Sequence, residues 1–271
     1  MQKDKVAMDI NKIKPKTKKI GQNIYYIKEC TSTNTLAKNN SHLPDGTIFL
    51  CNKQTSGRGR SGNSWVSDCD GSIAMSILIK PDLLPEKAQI LTLIAGLSVK
   101  NALCELFGAD IYIKWPNDLV LNKKKICGIL CEMSAQVNLL NYCICGIGIN
   151  LNNASFPDEI KSIATSLFSE TGKKLLKETV ISKIAEEFER LYTEFLKNGL
   201  KNLISDYKKS LITLNKEVKI ISPDDSYTAI CEDIGENGEL IIRTKDGIKT
   251  ISSGEVSVRG ILGYILTMNN L

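Results

Sequence analysis

Histidine is nearly missing from these 271 residues, represented by His42 alone, and no two of the nine cysteines stand in a C-x-x-C pair. A structural zinc centre draws on closely paired cysteines or several histidines, so none is expected. His42 falls in a loop bounded by proline, aspartate and glycine and receives no role. Long apolar runs are also lacking: the longest, Ile90 to Val99, is broken by Thr92, Gly96 and Ser98, and no apolar stretch follows the lysine-rich start. Neither a membrane span nor an export signal is therefore expected, and a cytoplasmic protein is. The chain is too long to need disulfide staples, and Cys143 and Cys145 alternate within an apolar strand, so the cysteines read as buried free thiols. There is no internal repeat or low-complexity segment.

Arginine is scarce too. Only five of the 35 basic residues are arginines, and the lysines are scattered among 30 acids, which with a net charge of +5 describes a solvated surface. The one dense cluster sets Lys3, Lys5, Lys12, Lys14, Lys16, Lys18 and Lys19 against Asp4 and Asp9. Residues 1–22 read as a disordered lysine-rich tail in preference to a nucleic-acid arm. What is present, 42% hydrophobic and 24% charged residues, is ordinary globular composition with length for one sizeable core and a small extra domain.

From Asn23 strands alternate with helices, giving an α/β body over residues 23–213 with a largely central sheet. Strands are expected at 23–28, 47–52, 72–80, 111–114, 119–121, 126–134 and 142–151, with a hairpin turning at Asn122 to Lys124. A short helix follows the Ser/Thr/Asn cluster at 33–39. A helix from Pro85 to Phe107 carries two apolar stripes and should be buried on more than one side, whereas 178–197 carries one; a shorter helix ends near Ser210. These helices are expected to cover one face of the sheet. Beyond Leu214, five short strands (217–222, 227–234, 239–244, 248–252 and 255–259) separated by glycine and aspartate turns read as a small β-barrel over residues 214–271.

The most informative segment is Gln54-Thr-Ser-Gly-Arg-Gly-Arg-Ser-Gly-Asn-Ser-Trp65. A chain that uses lysine for general charge has placed Arg58 and Arg60 between Gly57 and Gly59 and beyond, where planar guanidinium groups suit carboxylate or phosphate and glycines let backbone amides approach an anion. Gly57 to Gly62 also matches G-x-G-x-x-G, but no helix opens after it, so the dinucleotide reading fails. A flexible surface loop explains the glycines and not the arginines. In Lys114-Trp-Pro-Asn-Asp118, Pro116 keeps Trp115 out of helical conformation and Asn117 and Asp118 favour a turn, making a corner that could be structural alone. Lys123 to Lys125 could be a solvated hairpin tip.

Together these segments resemble the biotin protein ligase family. The resemblance rests on Ser32-Thr33-Asn34, the arginine loop with Gln54 before and Trp65 after it, Lys114 to Asp118, Lys125 with Gly128, and Gly146-Ile-Gly148-Ile-Asn150. It runs from about residue 24 into the C-terminal strands. It implies a class II synthetase-like α/β catalytic domain with a central mixed sheet, followed by an SH3-like β-barrel. The implied reaction activates biotin with ATP and Mg²⁺ as biotinyl-5′-adenylate and passes biotin to a lysine of a carrier domain of a carboxylase or decarboxylase. By motif position Ser32, Thr33, Asn34 and Gln54 line the biotin site, Arg58, Gly59 and Arg60 close over biotin and its adenylate, and Lys125 is the main catalytic cation. Lys114 and Asp118 position the corner and assist phosphate or metal, and Arg259 faces the nucleotide. Gly146 to Asn150 either admits a ligand or packs tightly in the sheet. Because a winged helix does not fit in about twenty residues, no operator binding is expected; the state is monomer or homodimer. A lipoate or octanoate ligase shares the implied fold, and a nucleotide-binding regulator would explain the phosphate loop but not Gln54, the arginine pair and Lys125 together.

Overall fold

A computed structural model describes residues 8–66, 71–222, 225–253 and 256–260. Its main sheet has seven strands: β1 (Ile24–Cys30), β2 (Ile48–Gln54), β5 (Ser72–Ile79), β6 (Tyr112–Lys114), β7 (Asp118–Leu121), β8 (Lys124–Gln136) and β9 (Leu139–Asn150), while β3 (Gly57–Arg58) and β4 (Ser64–Trp65) form a separate ribbon. The spatial order is β1-β2-β5-β9-β8-β7-β6, with β1 and β2 parallel and every other pair antiparallel. This is the mixed central sheet expected.

Helix α1 (Thr33–Asn39) packs on one face with Phe49, Leu78 and Ile144. The opposite face carries α2 (Ala88–Phe107), buried nearly all round because the sheet lies on one side and α4 (Lys177–Asn198) on the other. With its preceding turn, α2 is long and apolar enough by composition to cross a membrane, but it is the buried core helix of this layer. It ends where Gly108 takes a left-handed conformation, φ 67°, and its N–H closes on the Cys104 carbonyl at 2.8 Å. The single stripe of α4, from Ile181 to Phe195, faces α2, so this helix covers the sheet chiefly through α2. The short helix α3 (Leu167–Thr171) follows β9, and α5 (Lys201–Ser210) leads out of the layer. The eight cysteines among the described residues are free; the β8–β9 register gathers Cys131, Cys143 and Cys145 so that their sulfurs lie within 4.8 Å of one another.

The expectation of a disordered tail is corrected over residues 8–22. This segment is a strap along α4 whose backbone N–H groups donate to helix side chains: Asp9 to Glu178 at 2.8 Å, Lys14 to Ser182 at 3.0 Å, Lys16 to Glu186 at 2.8 Å, and Lys18, Lys19 and Ile20 to Glu189 at 2.6 to 2.8 Å. Met8, Ile13 and Ile20 are buried beneath it while its lysines stay exposed. Residues 1–7 lie outside the described residues.

After Leu214 come β10 (Glu217–Ile221), β11 (Ser226–Ile234), β12 (Leu240–Thr244), β13 (Gly247–Ile251) and β14 (Ser257–Gly260), in the antiparallel order β13-β12-β11-β10-β14. Among the described residues β13 and β14 do not pair, so this is a five-stranded sheet and the closed barrel read from the sequence is not what it forms. The expected final strand begins at Glu255, which lies outside the described residues. The sheet docks on the body at Gly238, whose carbonyl accepts from Trp115 Nε1 at 3.1 Å and Gln89 Nε2 at 2.7 Å.

Candidate active site

One cavity of about 800 Å³ lies between the arginine loop, the corner after β6, the strands β8 and β9, and the C-terminal sheet. That size suits a drug-sized ligand or larger. The residues singled out in the sequence converge on it: Ser32, Thr33, Asn34, Gln54, Arg58, Gly59, Arg60, Trp65, Lys114, Asn117, Asp118, Lys125, Gly128, Gly146, Gly148, Asn150 and Arg259 all line it. Gly57 stands at its edge, where any side chain would collide with the Trp65 carbonyl and the Gln54 amide.

One end is neutral and held by hydrogen bonds. Gln54, at the end of β2, accepts from the Thr33 backbone N–H at 2.8 Å and its hydroxyl at 3.3 Å. Ser76 on β5, buried, donates to Thr33 Oγ1 at 2.8 Å or to Asn34 Oδ1 at 2.7 Å, a residue the sequence patterns did not single out. Asn34 Nδ2 donates to the Leu130 carbonyl at 3.1 Å and to Glu132 at 2.7 Å. Tight packing is the correct reading of the β9 glycines: a Cβ at Gly146 would strike Asn34, and one at Gly148 would strike the Trp65 indole, which also lies against Gly128. The Trp65 Nε1 is buried with no hydrogen-bond partner, a donor a bound polar ligand could satisfy.

The other end is cationic. The corner passes through a cis Trp115–Pro116 bond, after which Asn117 pairs with Ile129 through both its carbonyl (2.9 Å) and its amide (2.8 Å). The hairpin turns through Asn122 and Lys123, both with positive φ, and a bulge lets Val120 face Lys125 while Leu119 faces Cys127. Lys123 is left in solvent. Lys125 instead reaches Asp118 at 2.5 Å, with its Nζ 5.7 Å from the Trp65 ring centroid. Lys114, buried, stands 4.0 Å from the same carboxylate. Its ammonium is pushed down to about 8, first by desolvation and then by the nearby Lys125, Arg259 and Arg60, against the pull of Asp118. Arg60 donates to Asn117 Oδ1 at 3.2 Å and to the backbone carbonyls of Ser253 and Val256, joining loop, corner and C-terminal sheet; burial lowers its pKa, with Asp118 opposing. Arg259 on β14 completes the group and is paired in register with Lys219 on β10, which also lines the cavity.

The remaining wall was not foreseen. Asn153, Ser155, Phe156, Pro157, Ile160, Ile163 and Ala164 follow β9, and the backbone of Lys125 clamps their segment by donating to Ile163 O at 2.8 Å and accepting from Thr165 at 3.0 Å. A motif search has no purchase here; the signal was an apolar, proline-containing stretch directly after the Gly-Ile-Gly-Ile-Asn strand.

A neutral hydrogen-bonding pocket running into a buried cluster of cations, closed by a glycine-rich loop, defines a ligase that activates a small acid with a nucleotide. Models of the Biotin/lipoate A/B protein ligase family and of the Biotin protein ligase C terminal domain match residues 26–150 and 213–259. The chain is 34% identical over 247 residues, 90% of its length, to the bifunctional ligase/repressor BirA of Bacillus spizizenii, of which it covers 76%. It is 30% identical to the biotin–[acetyl-CoA-carboxylase] ligase of Paracoccus denitrificans, over 80% of this chain and 92% of that one. A biotin protein ligase from Aquifex aeolicus, solved in complex with biotin and ATP, superposes with a TM-score of 0.78 at 34% identity, covering 88% of this chain and 99% of that one. The chain belongs to the biotin protein ligase family.

Proposed function

We infer that this chain is an ATP-dependent biotin protein ligase whose neutral pocket takes biotin and whose cationic end takes the ATP phosphates. The observation that carries the reading is one carboxylate, Asp118, beside two lysines of the cavity, with Arg60 and Arg259 at the same end: such an excess of buried positive charge calls for a polyanion. A biotin carboxylate oxygen attacks the α-phosphorus, the bond to pyrophosphate breaks, and biotinyl-5′-adenylate forms. An acceptor amine then attacks the acyl carbon, the bond to phosphate breaks, AMP leaves, and the amine's proton passes to solvent. Lys125 serves the first step by neutralising charge where carboxylate and α-phosphate meet, aided by Arg58 and Arg60, and Lys114 and Arg259 hold phosphate charge.

Asp118 is the sole carboxylate lining the cavity among the described residues, which fits Mg²⁺ held mainly by substrate phosphates with one protein carboxylate. The ion would supply further neutralisation of the phosphates. The acceptor is a carrier domain of a carboxylase or decarboxylase. We assign the catalytic unit to residues 23–213 and an SH3-like unit to 214–271, in a cytoplasmic monomer or homodimer that binds neither membrane nor operator DNA, although one relative carries a repressor activity. Support for the last point is that residues 8–22 form one 3₁₀ turn and an extended strap, with no helix-turn-helix among them.

The test is transfer of biotin, against lipoate, to a purified biotin carrier domain with Mg-ATP. Biotin labelling that depends on Lys125 supports the reading; lipoate labelling moves the chain to the sister activity, and labelling by neither rejects it. A gel shift with a promoter fragment at physiological salt checks the absence of operator binding.

A further inference from the structure

We propose that Glu132 is a positioning residue for biotin, tying the arginine loop to the floor of the biotin pocket; this rests on the ligase reading. Glu132 lies on β8, outside every motif discussed above, and its carboxylate oxygen Oε2 accepts two donors at once: Asn34 Nδ2 at 2.7 Å and an Arg58 guanidinium nitrogen at 2.8 Å. It is the one carboxylate lining a second, outer cavity of about 410 Å³ behind the loop, whose other walls are residues 58–63 and Leu130. The loop is thus a partition, with the biotin pocket in front and Glu132 behind.

Few other contacts fix this part of the partition. The Arg58 backbone pairs only within its own ribbon, with Ser64 of β4, and its side chain otherwise reaches Thr35 Oγ1 at 3.5 Å. Arg60 is tied elsewhere, to Asn117 and the C-terminal sheet. Asn34, in turn, is oriented by Glu132 on its nitrogen and Ser76 on its oxygen. Removing the carboxylate therefore releases Arg58 from the loop side and loosens the amide on the floor side, both at the biotin end, while the cation cluster around Asp118 keeps its contacts. Because the Arg58 pair is half exposed, a bare ion pair there would count for little; the effect comes from one oxygen holding two groups in register.

The experiment is biotin-dependent ATP/pyrophosphate exchange with wild type, E132A, E132Q and E132D, with melting temperatures alongside. We expect E132A to raise the KM for biotin about tenfold, the scale of a charge-assisted hydrogen-bond pair, while the KM for ATP moves less than about twofold. E132Q, which keeps an acceptor oxygen of the same reach, should recover most of the loss; E132D, one methylene short of both donors, should not, and it carries the test should E132A fail to fold. A biotin KM within about twofold of wild type in E132A and E132D, equal rises for biotin and ATP, or E132Q no better than E132A would each overturn the proposal. A wild-type protein with no biotin-dependent exchange would instead remove the ligase reading.

Discussion

Two places in this molecule set carboxylates against donors, and they do so in opposite proportions. On the outer face of α4, Glu178, Glu186 and Glu189 receive backbone N–H groups of the strap, each oxygen meeting a donor that has no other task. In the cavity, Asp118 faces Lys114 and Lys125, with Arg60 and Arg259 near enough to depress Lys114 further. The first network is complete without a ligand and holds structure together. The second carries surplus positive charge in a desolvated place, a cost tolerated where an anion will arrive. Balance marks architecture here, and imbalance marks the site.

The largest effect that would test this contrast is on Lys125. Replacing it with alanine should lower biotin transfer by about 100- to 1,000-fold, the range for losing one preorganised charge at a reacting centre, and leave the melting temperature nearly unchanged because the lysine is partly exposed. Wild-type activity in K125A would break the contrast at its centre. Asp118→Ala comes next. It removes the one negative group from the cluster, so stability should fall by about 2 to 4 kcal/mol in denaturant unfolding, with ATP at saturating concentration restoring part of it. A stability loss that ATP does not offset would mean the cluster is structural.

Lys114 supplies a pH test. Its folded-state pKa of about 8 lies below the ordinary lysine value of 10.5, so the unfolded chain binds more protons between those values and stability rises with pH across that window. Phosphate binding reverses the desolvation penalty and returns the proton. At pH near 8, ATP binding should take up about half a proton, seen by calorimetry in buffers of different ionisation enthalpy; uptake should vanish in K114M. No uptake in wild type would show that the ammonium is already charged and the imbalance smaller than argued.

Most of the fold was legible because its signals are local. The Ser/Thr/Asn cluster caps α1 with Ser32 accepting from Thr35 at 3.1 Å, and the Asn122–Lys123 turn sits where the pattern placed it. The members of the site could be collected from two dense motifs, but not their contacts. That Lys125 rather than Lys123 enters the cavity depends on a bulge between β7 and β8, and Lys219 joins Arg259 only through sheet register. The three gathered thiols likewise come from pairing β8 with β9, which spacing along the chain does not display. The strap was misread for the same reason: its acceptors stand about 170 residues away, so a lysine-rich composition looked like a tail.

That strap carries the smallest predicted effect and the sharpest control. Glu189 accepts from three successive backbone N–H groups. Burial would raise its pKa, but those bonds, with Lys18 nearby, outweigh burial and hold it below 4.5. A depressed carboxylate stabilises the fold fully above its unfolded value and loses that contribution as pH falls through the folded one. Glu189→Ala should therefore cost about 1 to 2 kcal/mol at neutral pH, with the difference from wild type closing in acid below the ordinary glutamate range. Exchange of the amides of Lys18 to Ile20 should quicken in the variant. Biotin KM and kcat should stay within about twofold of wild type, since α4 reaches the cavity only through the core. A large loss of activity in a folded Glu189→Ala protein would mean that the strap is coupled to the site, and that a balanced polar network is no guide to what is merely architectural.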